Sequence, residues 1–156
     1  MLKIWCDHTF EFVCAIRPIT YDTGTIREFN PRARYRNTRR LMPNAYGNGP
    51  FCKFSIPSNL QNPGVYALTA DEEVIYVGEC VNLTLRFNSG YGNISPRNCY
   101  AGGQLTNCRI NHSIYAAAET RHQIDLWFLE TRDRNAIESE LIQALRPKWN
   151  RQGIVV

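Results

Sequence analysis

The sequence predicts an α/β fold: a small, mainly antiparallel three-stranded core sheet flanked by helices. Three stretches carry that expectation. Residues 64–78, GVYALTADEEVIYVG, set two apolar runs rich in β-branched and aromatic side chains on either side of Asp71-Glu72-Glu73, the pattern of a short hairpin. Residues 123–131, QIDLWFLET, alternate Ile124, Leu126 and Phe128 with Asp125 and Trp127, which reads as a third strand. Residues 134–145, RNAIESELIQAL, carry Ile137, Leu141, Ile142 and Leu145 at helical spacing, with Asp133 as a cap and Pro147 as a stop.

The other elements follow in chain order. At 156 residues and 44% hydrophobic content the chain has enough material for one packed core. Residues 10–18 read as a strand with Phe10, Phe12, Cys14 and Ile16 on one face. Tyr21-Asp22-Thr23-Gly24 is a turn signal, and Pro43, Pro50, Pro57 and Pro63 oppose a long regular element further on. Residues 1–60 are therefore read as a basic N-terminal extension packed on the core, and residues 61–156 as the main domain. After the hairpin, Val81, Leu85 and either Leu83 or Phe87 predict a short amphipathic helix ended by Gly90. A glycine-rich loop leads to a helix over 105–119, with Thr106 or Asn107 as its cap.

Composition removes several functions. No stretch approaches the length of a membrane span. No P-loop, dinucleotide-binding glycine pattern, H-E-x-x-H or serine-nucleophile motif is present. The six cysteines form no C-x-x-C pair, and MLKIWCDHTFEF is too polar for an export signal, so reduced thiols and a cytoplasmic location are expected. The spacing of Cys99, Cys108, His112 and His122 fits no zinc pattern.

Charge and side-chain chemistry point elsewhere. Net charge is only +4, but residues 27–40 hold six arginines, Arg27, Arg32, Arg34, Arg36, Arg39 and Arg40, against Glu28 alone. Planar guanidinium groups suit phosphate, though a basic loop facing water reads the same way. Gln104, Asn107, Arg109 and Asn111 at the start of the 105–119 helix are side chains able to read base edges or to bind phosphate. Glu138 falls on the apolar stripe of its helix while Glu140 points away. A carboxylate there needs a partner, and arginine and a divalent metal both qualify.

Taken together, these residues resemble the GIY-YIG nuclease family. Gly64-Val65-Tyr66 looks like its GIY element and Tyr76-Val77-Gly78 like its YIG element. Arg86, ten residues after Tyr76, falls where the family has its catalytic arginine, and Glu138, in E-x-x-L-I, where it has its metal-binding glutamate. Asn150 matches the terminal asparagine, so the resemblance covers residues 62–151. Glu79 stands where repair-type members commonly carry lysine, and residues 1–60 match nothing in the family core. The compact arrangement is most similar to the family's restriction endonucleases.

The resemblance implies a metal-dependent DNA endonuclease that hydrolyses phosphodiester bonds in duplex DNA, with a repair-type nicking enzyme or a non-catalytic nucleic-acid-binding module as the other readings. Glu138 would hold one Mg2+ or Mn2+. Arg86 would grip a non-bridging phosphate oxygen. Tyr66 would act as general base, and Tyr76 would position water or phosphate. Asn150 would order the surroundings of Glu138. A single site cuts one strand, so a double-strand cut implies a homodimer on DNA or two binding events. The glycines of the hairpin are expected to let backbone and phosphate come close.

Overall fold

A computed structural model describes residues 1–34 and 41–150. Among these, the chain forms two compact units, each discontinuous in sequence. The first comprises residues 1–16, 56–86 and 122–150, and the second residues 17–34, 41–55 and 87–121.

The first unit is built on an antiparallel sheet of five strands, not three. These are β1 (Leu2–Trp5), β2 (His8–Ile16), β3 (Gly64–Ala70), β4 (Glu73–Cys80) and β5 (Ile124–Glu130), in the order β1-β2-β5-β3-β4. The two extra strands come from the N-terminal stretch that the sequence assigned to an extension. Their hairpin turns on Cys6 and Asp7, both with positive φ (51° and 64°), and the β3–β4 hairpin turns the same way on Asp71 and Glu72 (49° and 68°). Such two-residue turns ordinarily advertise themselves by Asn-Gly or Asp-Gly, and neither is present here. Leu2 and Ile4 also point to solvent, at 61% and 68% exposure, which blurs the hydrophobic alternation of β1.

In β2 the expected single face breaks at a bulge between Phe12 and Cys14. Phe10 is fully buried while Phe12 is partly exposed. Central strand β5 is covered on both faces: Trp127, read as the outward residue, is as buried as Leu126 and donates its indole N–H to the Thr69 hydroxyl at 3.0 Å.

One face of the sheet packs Phe10, Val65, Ala67, Val77 and Trp127 against helix α3 (Arg134–Leu145), which contributes Leu141 with Ile137, Ile142 and Leu145 around it. Asp133 sits at the N-cap position without making a side-chain cap, and the helix ends on left-handed Arg146 just before Pro147. Helix α1 (Leu83–Arg86) is shorter than expected, because the following turn, Phe87–Tyr91, widens to π geometry. Its buried residues are Leu83 and Thr84, while Val81 and Leu85 are exposed. The Thr84 hydroxyl donates to the Pro57 carbonyl at 2.9 Å and accepts from the Leu60 N–H at 3.1 Å, fixing the 57–60 segment on α1.

The second unit centres on helix α2 (Leu105–Glu119). Its N-cap is Gln104, not Thr106 or Asn107, and makes no side-chain cap. Phe51, Ile94, Cys99, Tyr100 and Cys108 form its apolar core.

Candidate active site

Strand β4 lies at the edge of the sheet. Its register pairs Gly78 with Tyr66 and Tyr76 with Leu68, so the two tyrosines share one face of the hairpin. Their ring centroids are 6.2 Å apart, and both side chains are buried. The glycines on either side have a local cause. A Cβ on Gly78 would collide with the ring and hydroxyl of Tyr66, and a Cβ on Gly64 would collide with the Leu129 carbonyl and the Phe128 ring. Close packing of rings therefore requires both glycines, a role different from the phosphate approach expected of them.

The opposite face of β4 carries Val77, in the α3 core, and Glu79, opposite Val65. Glu79 is a node. Its carboxylate accepts a hydrogen bond from the Arg134 guanidinium, and its main-chain carbonyl faces the Arg86 guanidinium at 3.5 Å. Arg134 and Glu138 are one helical turn apart on α3, so both reach the same end of the sheet. Glu138 is half-buried, and its carboxyl is held above the ordinary glutamate range, first by burial and then by the negative charge of Glu79. Arg86 and Arg134 pull it back in part.

Asn150 acts on the edge strand itself. Its amide accepts from the Val77 N–H at 2.9 Å and donates to the Val77 carbonyl at 2.8 Å, replacing the strand that β4 lacks on that side. Each such bond contributes about 1 kcal/mol. The clamp fixes Val77 between the two residues, Tyr76 and Gly78, that face Tyr66.

Two groups thus form around one hairpin. Tyr66 lies over Gly78 with Tyr76 beside it on one face, and Glu138 lies near Glu79, Arg86 and Arg134 on the α3 side, with Asn150 at the edge strand. Arg134 was missed at the sequence level. Its signal was the spacing to Glu138, four residues on along the same helix.

The residues nominated for DNA contact have different fates. Asn111 is fully buried, and its amide is spent on the Cys52 N–H (3.0 Å), the Cys52 carbonyl (2.8 Å) and the Tyr91 carbonyl (2.7 Å). It holds the core of the second unit together and presents nothing to a base edge. Asn107 is buried and donates to Gln104 at 2.9 Å, and Arg109 is buried as well. Gln104 is exposed. Arg27 is exposed, with its guanidinium over the rings of Tyr21 and Phe29 at 5.9 and 5.2 Å. Arg32 bonds Asn48 and, at 3.4 Å, the Tyr100 hydroxyl. Arg34 ends the 3-10 turn Pro31–Arg34, and Arg36, Arg39 and Arg40 fall outside the described residues.

Among the described residues no group of three or more His, Cys, Asp or Glu is arranged to hold a metal ion, and no helix is long and apolar enough to cross a membrane. No protein-family model and no curated protein matches the chain. Among solved structures, a mutant of bacteriophage T4 EndoII is similar at 15% identity, over 90% of this chain and 91% of that one, with a TM-score of 0.49.

Proposed function

We propose that this chain is a metal-dependent DNA endonuclease of the GIY-YIG type, hydrolysing phosphodiester bonds in duplex DNA as restriction enzymes do. The observation that supports this most is the convergence of Arg86 and Glu138 on Glu79. Two residues far apart in sequence, nominated as phosphate clamp and metal ligand, share one electrostatic environment.

The donor set fits a magnesium or manganese ion. Such an ion keeps several waters and needs only one or two carboxylates, with phosphate oxygens completing its shell. Glu138 supplies an oxygen ligand whose charge is costly where it stands, so a cation beside it relieves both burial and the repulsion from Glu79. When bound, the ion would polarise the phosphate and help the leaving oxygen depart. The remaining work falls to the protein. Arg86 grips a non-bridging oxygen and meets the charge that grows on it. Tyr66, once its hydroxyl has given up its own proton under the positive charge of Arg86 and the ion, would take the proton of the attacking water, and Tyr76 beside it would orient that water or the phosphate. Asn150 holds the main chain of β4 at Val77, between Tyr76 and Gly78. Arg27, exposed in the second unit, meets backbone phosphate. Cutting both strands would take a homodimer or two binding events.

The test is incubation of the protein with supercoiled plasmid and with a mixed-sequence linear duplex, under Mg2+, Mn2+ or chelator. Discrete fragments that need the metal, and disappear with Tyr66→Phe while DNA binding persists, are expected. Nicked circles alone would shift the reading to a repair-type enzyme, and no cleavage under any divalent metal would overturn it.

A further inference from the structure

One side chain of the charge cluster has no part in the mechanism above. Arg134 opens helix α3, about one turn before Glu138. Its guanidinium donates to the Glu79 carboxylate, and among the described residues it makes no other hydrogen bond. The Glu79 main-chain carbonyl faces the Arg86 guanidinium at 3.5 Å. One residue of the edge strand thus sits between two guanidinium groups, with its carboxylate towards Arg134 and its carbonyl towards Arg86. From these positions both guanidiniums act on the Glu138 carboxyl, and both act on the Cys80 thiol, next along β4.

A structural salt bridge does not account for the pair. The Arg134 and Glu79 side chains are 28% and 25% exposed, and an ion pair open to water contributes little to stability. A guanidinium presents its N–H donors in a planar fork, and Glu79 meets one side of it. Donors remain for a second partner, and the fork matches the spacing of phosphate oxygens.

Charge balance favours that partner. The two carboxylates, Glu79 and Glu138, and the two guanidiniums, Arg86 and Arg134, cancel, so the four side chains alone offer an anion no net attraction. With a divalent cation at Glu138 the cluster is positive by two. A phosphodiester carries one negative charge and gains a second as water attacks it, and the balance closes only with Arg134 counted. Without Arg134, the Glu79 carboxylate would stand uncompensated beside the substrate and repel it.

We propose that Arg134 is a second phosphate-binding residue of this site: Glu79 holds it, and it takes an oxygen of the same phosphodiester that Arg86 grips. The inference rests on the nuclease reading for its substrate, and on the two contacts of Glu79 for its geometry. Glu79 is then a positioning residue that serves both arginines.

The experiment reads DNA binding and cleavage separately, on the full chain. Binding of a short mixed-sequence duplex is followed by fluorescence anisotropy in chelator over a series of salt concentrations. Losing one phosphate contact makes the fall of log K with log salt shallower by about 1. Arg134→Gln should show that change, and under Mg2+ its kcat on plasmid should fall about a hundredfold. Glu79→Ala should cut about tenfold more slowly. Glu79→Gln, whose amide oxygen still accepts from Arg134, should recover most of that rate. Arg134→Lys keeps the charge, so it should keep the salt slope, and it should lose rate because an ammonium group has no fork to share between Glu79 and phosphate. An unchanged slope in Arg134→Gln, even with slower cutting, would make Arg134 a prop for Glu138 and overturn the proposal. Wild-type cutting by Glu79→Ala would overturn it too. So would wild-type cutting by Glu79→Ala/Arg134→Gln, since Arg134 would then only mask Glu79. Should Arg134→Gln not fold, wild-type cutting by Arg134→Lys overturns the proposal by itself. Each of these results leaves the nuclease reading standing. A shallower slope in Arg134→Gln, with no cutting by wild type under any divalent metal, would overturn the nuclease reading and leave Arg134 as a phosphate-binding residue.

Discussion

Helices α2 and α3 both carry polar side chains that suggested function in the sequence, and they use them in opposite ways. On α2, Asn111 is fully buried with its amide committed to three main-chain groups, and Asn107 is buried against Gln104. On α3, Glu138 is half-buried beside another carboxylate, and its own charge is disfavoured there. A buried polar group with every bond satisfied is part of the scaffold. One held in an unfavourable state is available for chemistry, because a ligand can relieve it. Burial alone therefore does not separate structural from functional polar residues. The state of satisfaction does.

The largest effect is expected at the charge cluster. Arg86→Ala should lower the rate of DNA cleavage by about a thousandfold, roughly 4 kcal/mol in the barrier. Arg86→Lys should recover little, because an ammonium group lacks the planar fork. Wild-type rates in either variant, from plasmid assays under Mg2+, would remove the α3 side of the comparison. Next comes Asn111→Ala, which strands the Cys52 N–H and two buried carbonyls and should cost about 3 kcal/mol in urea unfolding. Little loss of stability, with altered cutting preference instead, would make Asn111 a reader after all. The smallest is Glu140→Ala. Glu140 lies two residues from Glu138 on the same helix, but it is exposed and pairs with His8 at 3.0 Å. Its removal should change stability by less than about 0.5 kcal/mol and leave cleavage intact.

Much of this was legible in the sequence, and the exceptions have physical causes. The β3–β4 hairpin, β5, α2 and α3 were announced by strong periodicity and lie where expected. The strand that the sequence places at 10–18 is β2, the second arm of the N-terminal hairpin, but β1 and the turn were hidden, because Cys6 and Asp7 adopt left-handed conformations without glycine or asparagine and β1 turns Leu2 and Ile4 to solvent. The face of α1 was misjudged because the chain leaves α geometry after Arg86. Glu138 could be picked out because helical periodicity places it on an apolar stripe. Glu79 had no assignable role, because its two contacts, with Arg134 and Arg86, depend on how β4 meets α3 and α1. The tyrosines carried a similar ambiguity: an even spacing in sequence does not fix the face, and only the register joined them.

The central claim, that Glu138 is held in an unfavourable state for function, is tested most directly by Glu138→Gln, melted across pH in chelator and assayed for cleavage in Mg2+. The carboxyl binds its proton more tightly in the folded than in the unfolded protein, so wild-type stability falls as pH rises through a window that opens at the ordinary glutamate value. Glutamine has no such proton to lose. The variant should therefore match wild type below that window and melt higher above it, by a fraction of a kcal/mol after solvent screening, while cleavage is abolished. A variant that melts lower than wild type at neutral pH, or that still cuts DNA, would contradict the account.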